Sequence, residues 1–548
     1  MGAQGAQGGI GAGVAPIITD LKARRTRAQA VRDEFQPLLD DAYKYAIPFR
    51  RDAGEGRGQE RVSEVYDHTA IVSAFRFGGK LQSDLAPPGE TFFRIEPGAL
   101  IRDPATKEQL TKDLTEIRDV CGAGLLDGEW DNAFAEMALD LSAGTGCMLI
   151  LEGDADKLAR FIAVPVSEIL LEADGYGAIC AIYWRKTWTV RAVRDAWPKA
   201  RFGDTLAQDL EKKPYTEIIL NQDTVWDAKK KRWQHTVWCD QQDTPIATKA
   251  YRTCPWLTPR YFRVSGEVYG RGPVMLAMPT IRTLNTAQRY TLQAAAIAMI
   301  GIYTAIDDGV FNTETSPILP GAFWKVARNG GALGPSVQRF PDPRLDLSNL
   351  VLNDLRMGVQ AAMMDQSLPP EGAAVRSATE ILERVKRLAS DHVGAFGRLV
   401  AEIIIPLVRR LIEIAYERRV IRYATPIDQL LVRVSVSSPL AIARETSRVQ
   451  KIVQWLEMVM MLLPQQAHHV AKIKDALAEI GRVMDVPPEF ILTAEERAQA
   501  EQQEAAQAAA LMAAQSGLAA PGGLAAPAGP APTDESDASL QSPPETFA

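Results

Sequence analysis

The chain has 548 residues, 46% hydrophobic and 24% charged, with five cysteines and a formal net charge of −7. That length allows roughly two to four domain-sized cores, or one core with large excursions, and the composition excludes a disordered or fibrous chain. Cys121, Cys147, Cys180, Cys239 and Cys254 are scattered, with no CxxC pair, so a disulfide frame or thiolate metal site is not expected and small buried thiols are.

The charge is uneven. From residue 494 onward Glu495, Glu496, Glu501, Glu504, Asp534, Glu535, Asp537 and Glu545 stand against Arg497, so the tail carries −7 and residues 1–493 carry zero. A neutral body lacks the broad basic surface of a protein that holds nucleic acid by counterion release. DNA, if met, is touched lightly or let past. Residues 1–13 are rich in Gly, Ala and Gln and lack the layout of a signal peptide. The longest apolar run, 294–302, is too short to span a bilayer, so a soluble intracellular protein is expected.

In chain order, residues 20–47 form a helix with Arg24, Arg25 and Arg27 exposed and a break at Pro37. Residues 54–58 make a loop. Asp67 caps a helix to Leu85 that buries Ala70, Ile71, Ala74, Phe75 and Leu81. Pro87-Pro88-Gly89 ends it, and 92–95 is a strand. Residues 107–142 are helical, broken at 122–128. From 147 the pattern turns to strands at 147–151, 160–166, 169–172, 179–189, 215–220 and 233–238, with a helix at 189–197. Trp184, Trp188, Trp226, Trp233 and Trp238 pack this sheet. Tyr269-Gly270-Arg271-Gly272-Pro273 is a sharp turn with Pro273 set to open a helix over 274–301, bent by Pro279. A Pro/Gly-punctuated excursion, 303–344, carries short strands at 323–326 and 337–340, and 346–364 is helical again.

Residues 366–376 form a loop leading into the longest helix, 377–419, in which Ser377 and Glu380 make a capping box. Ala378, Ile381, Val385, Leu388, His392, Phe396, Leu399, Ile403, Leu407 and Leu411 recur in steps of three and four, the stripe such a helix buries. Glu383, Arg384, Lys386, Arg387, Asp391, Arg398 and Glu402 occupy the other face, and Pro406 bends the rod. Residues 432–436 are a strand, 441–462 and 470–483 helices, 494–515 an Ala/Gln/Glu helix, and 516–548 a low-complexity segment. Helical and β-rich stretches alternate in blocks, which places the fold in the α+β class.

Catalytic signatures are absent. Gly78-Gly79-Lys80 resembles the end of a nucleotide-binding loop, but Leu81 stands where Ser or Thr would hold Mg²⁺ and Ala74 where the first Gly belongs. No HExxH, GxSxG or dinucleotide fingerprint occurs. His68, His235, His392, His468 and His469 read as structural or surface residues. No enzyme, cofactor or metal is expected.

Several motifs together resemble the portal, or head-to-tail connector, proteins of short-tailed bacteriophages. One is Asp67-His68-Thr69-Ala70, then Leu81-Gln82-Ser83-Asp84-Leu85-Ala86-Pro87-Pro88 and Phe92-Phe93, with His68 in place of a usual Ser and Phe92 where Trp is common. Others are Gly144-Thr145-Gly146, the run Pro259-Arg260-Tyr261 through Tyr269-Gly270-Arg271-Gly272-Pro273 to Leu284-Asn285, Ser377-Ala378-Thr379-Glu380 and Ile405-Pro406-Leu407. The likeness spans about residues 39–440.

The resemblance implies a homo-oligomeric ring, typically a dodecamer, at one capsid vertex. It implies a flexible N-terminus (1–19), a wing (20–270), two stem helices (271–301 and 346–365) with a clip between them (302–345), and a tunnel loop (366–376). A long wing and tunnel helix (377–431), a crown (432–493) and the Ala-rich helix with its acidic tail (494–548) complete the layout. Implied partners are duplex DNA in the channel, the terminase large subunit, then a tail adaptor, and the major capsid and scaffolding proteins, with no membrane. Gln366, Arg376, Lys386 and Arg387 are the candidate channel residues. Twelve helices about 10 Å wide, side by side, give a bore of roughly 28 Å, which clears a duplex about 20 Å wide. The competing readings are an internal capsid scaffold without a channel and a DNA-processing enzyme.

Overall fold

A computed structural model describes residues 15–50, 64–98, 100–101, 103–242, 244–300, 303–305, 337–339, 345–365, 393–422, 431–437 and 439–462, with pieces at 476–477, 480–481, 502–503 and 506–507. The chain divides into two compact units, 1–451 and 452–548. In the second, Ile452, Leu456, Val459, Ala476 and Ile480 gather into a small apolar cluster.

The first unit is α+β. Its helices, in order, are α1 (Ala15–Ala46), α2 (Thr69–Leu85), α3 (Pro104–Asp127), α4 (Trp130–Ala143), α5 (Val190–Ala196), α6 (Asp204–Lys212), α7 (Pro273–Ile300) and α8 (Leu345–Ala362). Then come α9 (Val393–Leu399), a π turn (Val400–Ile404) and α10 (Ile405–Glu417), and α11 (Pro439–Leu462) runs on past the unit boundary. The strands are β1 (Phe93–Pro97), β2 (Met148–Glu152), β3 (Ala159–Ala163), β4 (Ile169–Ala173), β5 (Ile179–Thr189) and β6 (Glu217–Asp227). They continue with β7 (Arg232–Cys239), β8 (Ala247–Tyr251), β9 (Trp256–Leu257), β10 (Tyr303–Ala305), β11 (Val337–Arg339) and β12 (Val432–Val436).

Strands β4 to β8 form one antiparallel sheet in sequence order, with short connections except between β5 and β6, where α5 and α6 intervene. Strands β3, β2 and β9 make a second sheet. Between them lies a core built from Leu149, Leu171, Ile182, Trp184 and Trp256, to which α7 and α8 add Val274, Ile281, Leu284, Leu352 and Val359. A second core joins α2, α3, α4 and α10 through Phe77, Leu81, Trp130, Phe134, Leu407 and Leu411. Fully burying side chains of this size contributes about 1.5–3 kcal/mol each, which outweighs the weak helix preference of the aromatic and β-branched ones.

Several expectations need correction. Helix α1 runs unbroken through Pro37. Its first half lies on the large sheet, where Ile18 and Leu21 meet Trp238 and Ala28 meets Tyr183, and its second half buries Phe35, Leu39, Ala42 and Tyr43. Packing on both sides of the proline offsets the lost ladder bond, about 3 kcal/mol. Arg24 and Arg25 are half-buried and paired to Glu172 and Asp223, because the helix face they share lies against the sheet. Phe75 is 47% exposed, and Phe77 takes its place in the core. The break expected at 122–128 is confined to Gly128 and Glu129. Gly122 and Gly124 lie inside α3, where the missing Cβ lets Thr91 and Leu158 pack closely and so offsets the low helix propensity of glycine. Strand β8 and helix α6 carry weak local patterns and were not foreseen.

Helices α7 and α8 match the predicted pair within a residue or two and run antiparallel, since Thr280 faces Gly358 while Gln288 meets Arg356 farther along. Strands β10 and β11, paired antiparallel, continue them at their far ends. The expected strand at 323–326 lies outside the described residues. So do Gln366, Arg376, Lys386, Arg387 and the first part of the long helix, residues 377–392. The described part is one helical run from Val393 to Glu417 in which the irregularity is the π turn just ahead of Pro406. There the Ile405 N–H donates to the Val400 carbonyl, five residues back, and the wider turn makes room for a ring that cannot donate.

Candidate functional site: the junction of α4 and α7

The turn that opens α7 interlocks with the end of α4. Gly144 follows α4 at φ 134°, a conformation that favours glycine. Its carbonyl accepts the Tyr261 N–H at 2.8 Å, while the Gly272 N–H donates to the Ala143 carbonyl at 3.2 Å and the Gly146 N–H to the Pro259 carbonyl at 3.0 Å. The Thr145 hydroxyl accepts the Gly270 N–H at 2.8 Å. Phe262 and Arg271 exchange both backbone bonds, at 3.0 and 2.8 Å, closing the loop that carries the turn. Added Cβ atoms at Gly144, Gly270 and Gly272 would all come closer than 3.0 Å to backbone atoms across the joint. Three glycines thus let two chain segments touch main chain to main chain, and Pro273, with its fixed φ, starts α7 directly from the contact.

Side chains extend the joint in three directions. The Tyr269 ring stacks on Phe35 of α1 at 5.4 Å, lies under the Arg32 guanidinium at 5.0 Å, and its hydroxyl accepts the Leu171 N–H of β4 at 3.2 Å. Arg260, 4% exposed, is held by Glu402 of the π turn, which accepts from its backbone N–H at 2.8 Å and its guanidinium at 3.0 Å. Arg260 also donates to the Gly177 carbonyl at 3.0 Å. Arg271 sits outside, paired to Glu267 at 2.6 Å. Of residues 269–273, Tyr269, Gly270, Gly272 and Pro273 are buried in this joint, and Arg271 is left on the surface side.

Farther along, α7 and α8 are rooted in the segment before α2. Asn285 accepts the Tyr66 N–H at 2.7 Å and donates to the Glu64 carbonyl at 3.1 Å. Asp67, expected as the cap of α2 but one residue ahead of its N-cap His68, accepts the Thr69 N–H at 2.9 Å and the Arg356 Nε–H at 2.9 Å. Burial alone would raise the Asp67 carboxyl, but the Thr69 and Arg356 donors bring it below the usual carboxylate range. Asp365 takes Ser73 at 2.8 Å and Arg76 at 3.3 Å. Beyond Asn285, α7 loses its buried stripe. Tyr290, Leu292 and Met299 on α7, with Leu350, Val351 and Met357 on α8, are exposed.

Among the described residues no group of His, Cys, Asp or Glu could hold a metal. Burial pushes the Cys121 and Cys254 thiols up to about 12, which keeps them protonated and unreactive. Gly78 and Gly79 lie inside α2, where Gly78 packs on Leu139, so they form no phosphate loop. No helix among the described residues is long and apolar enough to cross a membrane. Asn285, Asp67 and Glu402 were motif or surface residues in the sequence. Asn285 bonds the 64–66 segment, Asp67 bonds Arg356 and Glu402 bonds Arg260, partners too far along the chain for a local pattern to mark.

These joints are formed by the motif residues themselves: Asp67, Gly144-Thr145-Gly146, the 259–273 run and Asn285. The family model described as bacteriophage head to tail connecting protein matches residues 19–492. The chain is also similar to a protein described as a probable portal protein of Bordetella phage BPP-1, at 23% identity over 498 residues, covering 83% of this chain and 86% of the relative. With a match over most of its length and the motifs meeting at one structural joint, the chain belongs to the bacteriophage head to tail connecting family, the portal proteins.

Proposed function

We propose that copies of this chain close into a ring, typically of twelve, at a single capsid vertex, and that duplex DNA passes through its centre during packaging and ejection. In this reading α7 and α8 are the stem and residues 302–345 the clip, which docks the terminase large subunit and later a tail adaptor. Residues 20–270 form the wing, meeting the major capsid and scaffolding proteins, and 432–493 the crown. Gln366, Arg376, Lys386 and Arg387 touch the DNA backbone transiently. The particle is assembled in the host cytoplasm, and the role is that of a conduit rather than a catalyst.

One observation carries this reading. The stem helices are bolted at one end, yet Leu276, Tyr290, Leu292, Met299, Leu350, Val351 and Met357 stand 49–83% exposed in a single chain. Two neighbouring rods with large apolar side chains on their outer faces fit an assembly in which the next copy covers them, each Å² removed from water contributing about 25 cal/mol. The neutral body suits transport, because strong phosphate contacts would slow it. Rotationally averaged electron microscopy with native mass spectrometry tests the reading. A ring with a central hole supports it, and a protein that stays monomeric under all assembly conditions ends it.

A further inference from the structure

The neutral body carries a local exception. The β6–β7 hairpin ends in Ala228-Lys229-Lys230-Lys231, followed by Arg232 at the start of β7, so four cations occupy four consecutive positions, all exposed. Asp227, at the end of β6, is engaged from within. It accepts the Lys229 and Lys230 N–H groups at 3.0 and 3.1 Å and lies 3.7 Å from the Lys230 ammonium. These donors, the Lys230 N–H first, hold its carboxyl below the usual range and fix the turn. Among the described residues, Lys229, Lys231 and Arg232 have no ion pair.

Two further features show a built tip rather than a loose one. Lys231 sits at φ 50°, a left-handed position where glycine or asparagine would be less strained, so a charged side chain stands where the backbone does not favour one. Beneath it, Trp226 and Trp233 face each other across the strands at 5.5 Å between ring centroids, bracing the hairpin just before it turns.

We propose that this hairpin tip is a contact for the phosphate backbone of duplex DNA outside any channel. Lysine supplies three of the four cations, and lysine is depleted in protein–protein interfaces, which instead need an apolar or aromatic anchor. The tip has none among residues 228–232. A row of cations without an anchor matches a repeating polyanion, whose contacts are point charges that position without reading sequence. The choice of DNA over another polyanion rests on the reading above, in which the protein stands beside the packaged genome.

The test uses the full-length protein and relaxed closed DNA minicircles, which have no end and cannot thread a channel. Binding is followed by anisotropy between 50 and 200 mM KCl. With three to four phosphates engaged, affinity falls about 40- to 150-fold over that range, and each cation removed lowers the slope of log affinity against log salt by about 0.9. K229Q/K231Q/R232Q is expected to abolish most minicircle binding, and K229R/K231R to keep it. Asp227 and both tryptophans remain, so the hairpin is preserved, as unchanged tryptophan fluorescence would verify. If the triple variant keeps the wild-type affinity and slope, the proposal falls. If poly-glutamate binds wild type more tightly than the minicircle at equal salt, the tip is a protein-docking surface and the proposal falls too. Either result leaves the ring reading intact, since that is decided separately by imaging.

Discussion

Gly144 and Gly270 lie face to face: a Cβ built on either would come closer than 3.0 Å to the carbonyl oxygen of the other. The two glycines are 126 positions apart in the chain, and their approach sets where α7 begins. Backbone on both sides cannot give way as a flexible side chain could.

G270A is therefore expected to destabilise the first unit by about 3 kcal/mol and to loosen the start of α7. Thermal melting with hydrogen exchange over 273–285 measures both. G79A is the contrasting change. Nothing lies within 4 Å of a Cβ at that helical position, so alanine should stabilise the unassembled chain by ~0.5–1 kcal/mol. Equal effects of the two substitutions would contradict the joint.

Glu402 neutralises a buried arginine from the middle of a π turn. E402Q keeps the shape but leaves Arg260, whose Nε already has no partner, without its counter-charge. A loss of about 3 kcal/mol is expected in urea unfolding, and replacing both partners together should cost less than the single change.

Two groups on adjacent strands respond to acid with opposite sign. Burial, with the Arg410 and Lys249 charges, pushes His235 down to about 4, so as pH falls from 6.5 the unfolded chain takes this proton first. Stability from His235 is lost across 6.5 to 4, by at most about 3 kcal/mol. Burial pushes Asp223 up to about 6 despite Arg25 at 3.2 Å, so the folded chain takes that proton first. Its contribution is full below the unfolded carboxylate value and is lost as pH rises through 6. H235Q should leave a chain that gains stability between pH 6 and 4.5, and D223N one that loses more than wild type. Melting temperatures of the three proteins across that range decide it.

The exposed residues of α7 and α8 separate folding from assembly. L350D/M357D should leave the circular dichroism and melting of the single chain within about 0.5 kcal/mol of wild type, because neither side chain is in a core. In the ring each aspartate would be buried against a neighbour without a counter-charge, and native mass spectrometry should find no closed oligomer. Rings at wild-type yield would remove α7 and α8 from the subunit interface.

The order and kind of the elements that bury one face along their own length are encoded locally. The 274–300 and 346–362 rods, the 179–189 and 432–436 strands and the Pro273 start were legible because period, cap and turn residues are written within a few turns of chain. Tertiary structure alone decided the joints: Gly144 against Gly270, Glu402 on Arg260, Asp67 on Arg356, α1 carried through Pro37 across the sheet, and β1 paired to β12 from the far end of the unit. Such contacts leave no local trace, since a glycine needed for close approach and a glycine in a loose turn look the same until the second segment arrives. The motifs marked which residues meet, and packing determined what they meet.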